Sequence, residues 1–116
     1  KQHPVMQNDP PSDIYMFCQD TEAYPLANML VDTFGSNFKA VPITQAHDLS
    51  IRNCFNMTYQ ALNSTGEKWY YVTVNASRRG TILWAKQQIE HVVIIGPDAV
   101  RTEINEFINT GAARYR

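Results

Sequence analysis

Short segments of the chain alternate side chains with a period of two, which is the pattern of β-strands. In residues 13–19, Ile14 and Met16 alternate with the rings of Tyr15 and Phe17. The other predicted strands cover residues 38–44, 54–62, 68–76 and 91–95. The last of these is an unbroken apolar run, which is typical of a strand buried on both faces.

Three segments carry apolar residues at the spacing of an amphipathic α-helix, namely residues 22–35, 78–89 and 98–111. Asp20 and Thr21 before the first helix, and Ser77 before the second, can accept hydrogen bonds from the first helical N–H groups. Pro97 is predicted at the first position of the third helix, where no N–H is needed, and Asp98 favours the positive end of the helix dipole. The apolar stripe of the third helix should dock on the rest of the domain.

The order of these elements predicts an α+β fold. It runs strand, helix, strand, an extra strand or long loop, strand, helix, strand, helix. Short connections and crossover handedness favour a ferredoxin-like βαββαβ sandwich with a C-terminal helix and an inserted strand or loop at about residues 45–66. We therefore expect the helices to pack on one face of a mainly antiparallel sheet.

The opposite face of that sheet is predicted to carry aromatic rings. The period of two directs Tyr15, Phe17, Trp69 and Tyr71 away from the helices. Soluble monomers rarely expose an apolar patch of that size, and aromatic residues are enriched in interfaces. These four residues are therefore the predicted association face, meeting a second subunit or a neighbouring domain.

Composition limits the classes of protein to consider. With 116 residues, 44% of them apolar, the chain fits one domain with its own core, over residues 14–116, and a polar, Pro-rich linker over residues 1–13. The formal net charge of −1 gives no domain-wide basic footprint for nucleic acid or anionic membranes. The sequence has no apolar run of membrane-spanning length and no secretory leader, so a cytoplasmic protein without membrane contact is expected.

The residues that carry reactive chemistry are few. Cys54, with His47 and Asp48 nearby in sequence, permits a thiol nucleophile with its base, but no motif fixes their geometry. The two cysteines form no CxxC pair, so we expect free thiols, no metal site and no cofactor. The prediction is that the chain is not an enzyme, with a small ferredoxin-like enzyme using a Cys/His site kept as an alternative.

Two further binding functions are considered. Aromatic rings on an open sheet face are the stacking platform of single-stranded nucleic-acid-binding domains, although the basic residues of such domains are absent here. Arg78 and Arg79 adjoin a predicted helix start, where guanidinium and N–H groups together suit a phosphate or carboxylate. Arg52, Arg78 and Arg79 are therefore the predicted contacts of an anionic effector.

Several motifs, in order, resemble the C-terminal extension (WCX) domain that follows the WYL domain in many bacterial transcription regulators. The resemblance runs from about Ile14 to Tyr115. It rests on a first helix ANMLVDTFG, a central strand YYVTVNAS, a large apolar residue at Trp84 and a closing strand and Pro-capped helix, VVIIGPDAVRTEI. The insertion at about residues 45–66 departs from the family pattern.

The resemblance implies a regulatory domain that mediates dimerisation and effector sensing. The expected partners are a second copy of the chain or the WYL domain of a parent protein, and the effector would be a small molecule or nucleotide. DNA contact would then belong to an N-terminal domain outside this chain.

Overall fold

The computed structural model describes residues 10–43 and 68–115. The predicted strand at 54–62 and the insertion at about 45–66 lie outside the described residues, as do His47, Arg52 and Cys54.

Four strands and three helices form the described part of the chain. The strands are β1 (Pro11–Gln19), β2 (Phe38–Pro42), β3 (Trp69–Ser77) and β4 (Val92–Gly96). The helices are α1 (Leu26–Phe34), α2 (Arg78–Gln87) and α3 (Asp98–Arg114). The largest difference from the prediction is at α1, which begins at Leu26 rather than at residue 22. Pro25 explains it, because the residue before a proline is disfavoured in the helical conformation.

The strands form one antiparallel sheet in the order β2-β3-β1-β4. The two long strands, β1 and β3, lie at the centre and pair along their whole length, from Pro11 with Ser77 to Gln19 with Trp69. The shorter β2 and β4 are the outer strands of the described sheet. The structure is therefore α+β, with a strand order that is compatible with a ferredoxin-like fold.

The main core lies between one face of the sheet and the three helices. Its buried strand residues are Ile14, Met16, Cys18, Val72, Val74, Val92 and Ile94. Its buried helix residues are Leu26, Leu30, Phe34, Ile82, Trp84, Ala85, Val100 and Ile104. The rings of Phe34 and Trp84 meet edge to face with centroids 5.1 Å apart, which joins α1 to α2.

Side-chain hydrogen bonds mark the starts of α1 and α2. Ser77 Oγ accepts from the Gly80 N–H at 3.1 Å, and the buried Thr81 hydroxyl donates to the Ser77 carbonyl at 2.8 Å. Asp20 Oδ1 accepts from the N–H of Leu26, the first residue of α1, at 3.0 Å. The predicted capping roles of Ser77 and Asp20 are confirmed, since both satisfy N–H groups that a helix leaves without an internal partner.

The third helix extends past the core. Pro97 is the residue before the helix rather than its first residue, which corrects the prediction by one position. Val100 and Ile104 are buried, whereas Phe107 and Ile108 are 40% and 45% exposed. The apolar stripe therefore docks on the domain only along its first half.

Candidate functional site

A second apolar cluster covers the sheet face opposite the helices. Phe17, Ile43, Trp69 and Ile95 form it, with Tyr71 and Val93 packed against them. The pairing register lines up four of its face's side chains across all four strands, in the order Val41, Tyr71, Phe17, Val93. Within the described ranges, none of the three helices contributes a residue to this cluster.

The four residues of the predicted association face differ greatly in exposure. Phe17 is 0% exposed and Trp69 is 7% exposed, Tyr71 is half-buried, and Tyr15 is 37% exposed. The Phe17 and Tyr71 rings are 6.2 Å apart in an edge-to-face arrangement. Phe17 and Trp69 therefore act as core residues of the single chain, and of the four only Tyr15 and part of Tyr71 offer surface to a partner.

This burial also bears on nucleic-acid binding. Bases stack on the open faces of aromatic rings, and each stacked base needs a ring that is accessible to solvent. Phe17 and Trp69 present almost no accessible surface. The arrangement of the described rings does not provide a stacking platform.

Two residues of the second cluster have different sequence signals. Ile43 follows Val41 by two positions, so the strand period already places it on the same face. Ile95 is brought there by a bulge in β4, because Met16 pairs with Ile94 while Tyr15 pairs with Gly96. The sequence has no feature that indicates this bulge.

The predicted effector arginines lie at the first turn of α2, where Arg78 and Arg79 are both exposed. Their neighbour Ser77 already accepts the Gly80 N–H, so part of the amide surface at this helix start is occupied by the chain itself. Contact of Arg78 and Arg79 with an anionic effector remains a prediction.

The described residues contain no arrangement suited to nucleophilic or metal chemistry. Cys18 is fully buried, and burial raises the pKa of its thiol, so it stays protonated and unreactive at neutral pH. No group of three or more His, Cys, Asp or Glu side chains in residues 10–43 and 68–115 lies close enough to hold a metal ion. His91 Nδ1 lies 2.9 Å from Gln19 Oε1, which ties the start of β4 to the end of β1.

An open groove runs between the outer edge of β4 and α3, with a volume of about 580 Å³. Apolar side chains line much of it, namely Ile89, Val92, Val93, Ile94, Ile104 and Ile108. Its polar side chains all come from α3, namely Asp98, Arg101, Thr102 and Asn105. A concave apolar surface with a few polar groups is typical of a binding site.

The sequence analysis did not identify this groove. The available signals were the uncharged run VVII and an adjacent helix with an apolar stripe longer than the core needs. They lie next to each other only because α3 folds back beside the strand that precedes it.

Comparison with protein-family models, curated proteins and solved structures finds no match for this chain. Among the described residues, no helix has both the length and the apolar character needed to cross a membrane. The fold and the two apolar surfaces are therefore the basis for a functional proposal.

Proposed function

We propose that this chain is a self-associating regulatory domain of ferredoxin-like fold, the C-terminal WCX-like domain of a WYL-type transcription regulator. Its role is dimerisation and effector sensing, without direct contact to DNA. The resemblance supplies the regulatory context. The element order and the buried Trp84 in α2 support it, since both agree with that domain's pattern.

The observation that carries self-association is the half-exposed apolar surface of α3. Phe107 and Ile108 lie one turn beyond the last buried residue of the helix, and Ile108 also lines the groove beside β4. Apolar surface that is continuous with a groove marks an interaction site more often than scattered exposed residues do. The Lys86 Nζ lies 5.1 Å from the centroid of the Phe107 ring, so part of this ring is covered within the chain.

Sedimentation equilibrium tests this proposal, from low micromolar to near-millimolar protein. The wild type should populate a dimer. Ile108→Glu should raise the dissociation constant at least about tenfold, equivalent to about 1.4 kcal/mol, because it places a charge in the groove. Leu83→Glu is the matched control, since Leu83 is 43% exposed on α2 and does not line the groove.

A wild type that stays monomeric at every concentration would remove the proposal. Binding to single-stranded oligonucleotides that weakens steeply with salt would favour the nucleic-acid alternative instead. If the wild type dimerises and Tyr15→Glu weakens the dimer while Ile108→Glu does not, the aromatic face is the association surface.

A further inference from the structure

The outer edge of β4 has backbone groups available for a further strand. The Gln19 N–H donates to the His91 carbonyl at 2.8 Å, and the same register continues to the pair Phe17 and Val93. Hydrogen-bonded pairs alternate along an antiparallel ladder, so Val93 directs its N–H and C=O towards β1. Val92 and Ile94 therefore direct theirs outward, where no strand of the described sheet pairs with them.

This edge lacks the features that usually prevent pairing with another chain. Residues 92–95 contain no charged side chain and no proline. Proteins commonly protect an exposed edge strand with charges, proline, inward-pointing charged groups or a covering element. The bulge at Ile95 affects only the end of the strand and leaves Val92, Val93 and Ile94 in regular register with β1.

The groove beside the edge is suited to a second copy of the chain. It offers an apolar floor to an incoming strand, and Ile108 stands half-exposed at its side. Asp98 and Arg101 both line it, so the groove presents charges of both signs. A surface that carries both signs of charge can be complementary to itself, as an interface around a two-fold axis requires.

We propose that two copies pair β4 with β4 in antiparallel orientation about a two-fold axis at Val93, which extends the sheet across both chains. This inference rests on the proposed function, because it names the surface through which the domain self-associates. Val92 then faces Ile94 of the partner subunit, and the reverse pair forms by symmetry. All the outward N–H and C=O groups of these two residues are hydrogen-bonded in this register.

Neighbouring registers leave some of these groups unpaired. An axis at Val92 places Ile94 opposite Glu90 of the partner subunit, which lies before the strand begins. An axis at Ile94 places Val92 opposite Gly96 of the partner subunit, beyond the bulge. The axis at Val93 is therefore the register with the most complete backbone pairing.

The size of the groove sets the expected strength of the dimer. Ten residues line it, whereas a standard stable interface has about 20–30 residues on each side. The pairing should therefore give a dissociation constant in the micromolar range, and detection needs concentrations above that value.

Disulfide trapping tests the register directly. At the axis, Val93 of each copy forms a non-hydrogen-bonded pair with Cα atoms about 4.5 Å apart, which is within the range of a disulfide of about 4.4–6.8 Å. The protein to use is Val93→Cys in a Cys54→Ser background, which leaves only the buried Cys18 as a native thiol. Leu83→Cys in the same background is the control for random collision, because Leu83 is exposed away from the groove.

Under mild oxidation, Val93→Cys should form a covalent dimer at least about tenfold faster than Leu83→Cys, because pairing holds the two thiols together. Sedimentation of the same variants under reducing conditions separates the two proposals. A reversible dimer whose Val93→Cys form cross-links no faster than the control would overturn β4 pairing and leave self-association intact. Absence of any dimer would instead remove the proposed function itself.

Discussion

Replacing Phe17 with alanine tests whether the second sheet face is a core of the single chain. Phe17 is 0% exposed and meets Tyr71 edge to face. A fully buried aromatic side chain removes about 150–250 Å² from water, which at about 25 cal/mol per Å² stabilises the fold by roughly 4–6 kcal/mol. Alanine retains part of that burial, so we expect a loss of about 3–5 kcal/mol of unfolding free energy.

Tyr15 provides a matched control on the same strand and the same face. It lies two residues from Phe17 but is 37% exposed, so Tyr15→Ala should cost about 1–2 kcal/mol. Domains of this kind are stable by only about 5–15 kcal/mol, and Phe17→Ala could remove most of that. Phe17→Leu, expected to cost about 1.5 kcal/mol or less, keeps the comparison measurable if the alanine variant does not fold.

Urea denaturation at two protein concentrations provides the measurement, with free energies compared at equal slopes. If Phe17 is buried within one chain, its cost does not change on dilution. If a second copy covers it, the apparent stability of the wild type falls by about 1.4 kcal/mol for each tenfold dilution. A cost for Phe17→Ala no larger than that for Tyr15→Ala would refute the assignment of Phe17 to a core.

Two further outcomes follow from local contacts. Ser77→Ala removes the acceptor of the Gly80 N–H at the start of α2 and should cost about 0.5–2 kcal/mol, which thermal unfolding will show as a fall in Tm of several degrees; an unchanged Tm would contradict the capping role. In a Cys54→Ser background, Cys18 should resist alkylation at pH 8 in the folded protein and react fully in denaturant, because burial raises its pKa; rapid labelling of the folded protein would contradict that burial.

Local sequence features predicted the elements and several of their ends. Gly35 was expected to end the first helix, and it adopts a φ of 63°, a conformation that glycine reaches without strain. Ser77 and Asp20 were expected to bond helix starts, and both do. These features depend on a few neighbouring residues, which is why sequence alone was sufficient for them.

Features that depend on distant residues were not predicted. The half-exposed state of Ile108 depends on where the core ends relative to α3, and a helical stripe of apolar residues does not contain that information. The groove beside β4 exists only once α3 has folded against the sheet. The bulge that turns Ile95 into the second cluster depends on the pairing of β4 with β1.

The aromatic face shows where the two sources of information divide. The period of two determined which way Phe17, Trp69 and Tyr71 point, because alternation is a property of the strand's own backbone. Whether a ring is buried depends on everything that packs around it, so only the tertiary structure showed that Phe17 and Trp69 are core residues while Tyr15 remains at the surface. It also moved the best-supported association surface to β4 and α3, where apolar groups and backbone hydrogen-bonding groups lie together at one edge of the sheet.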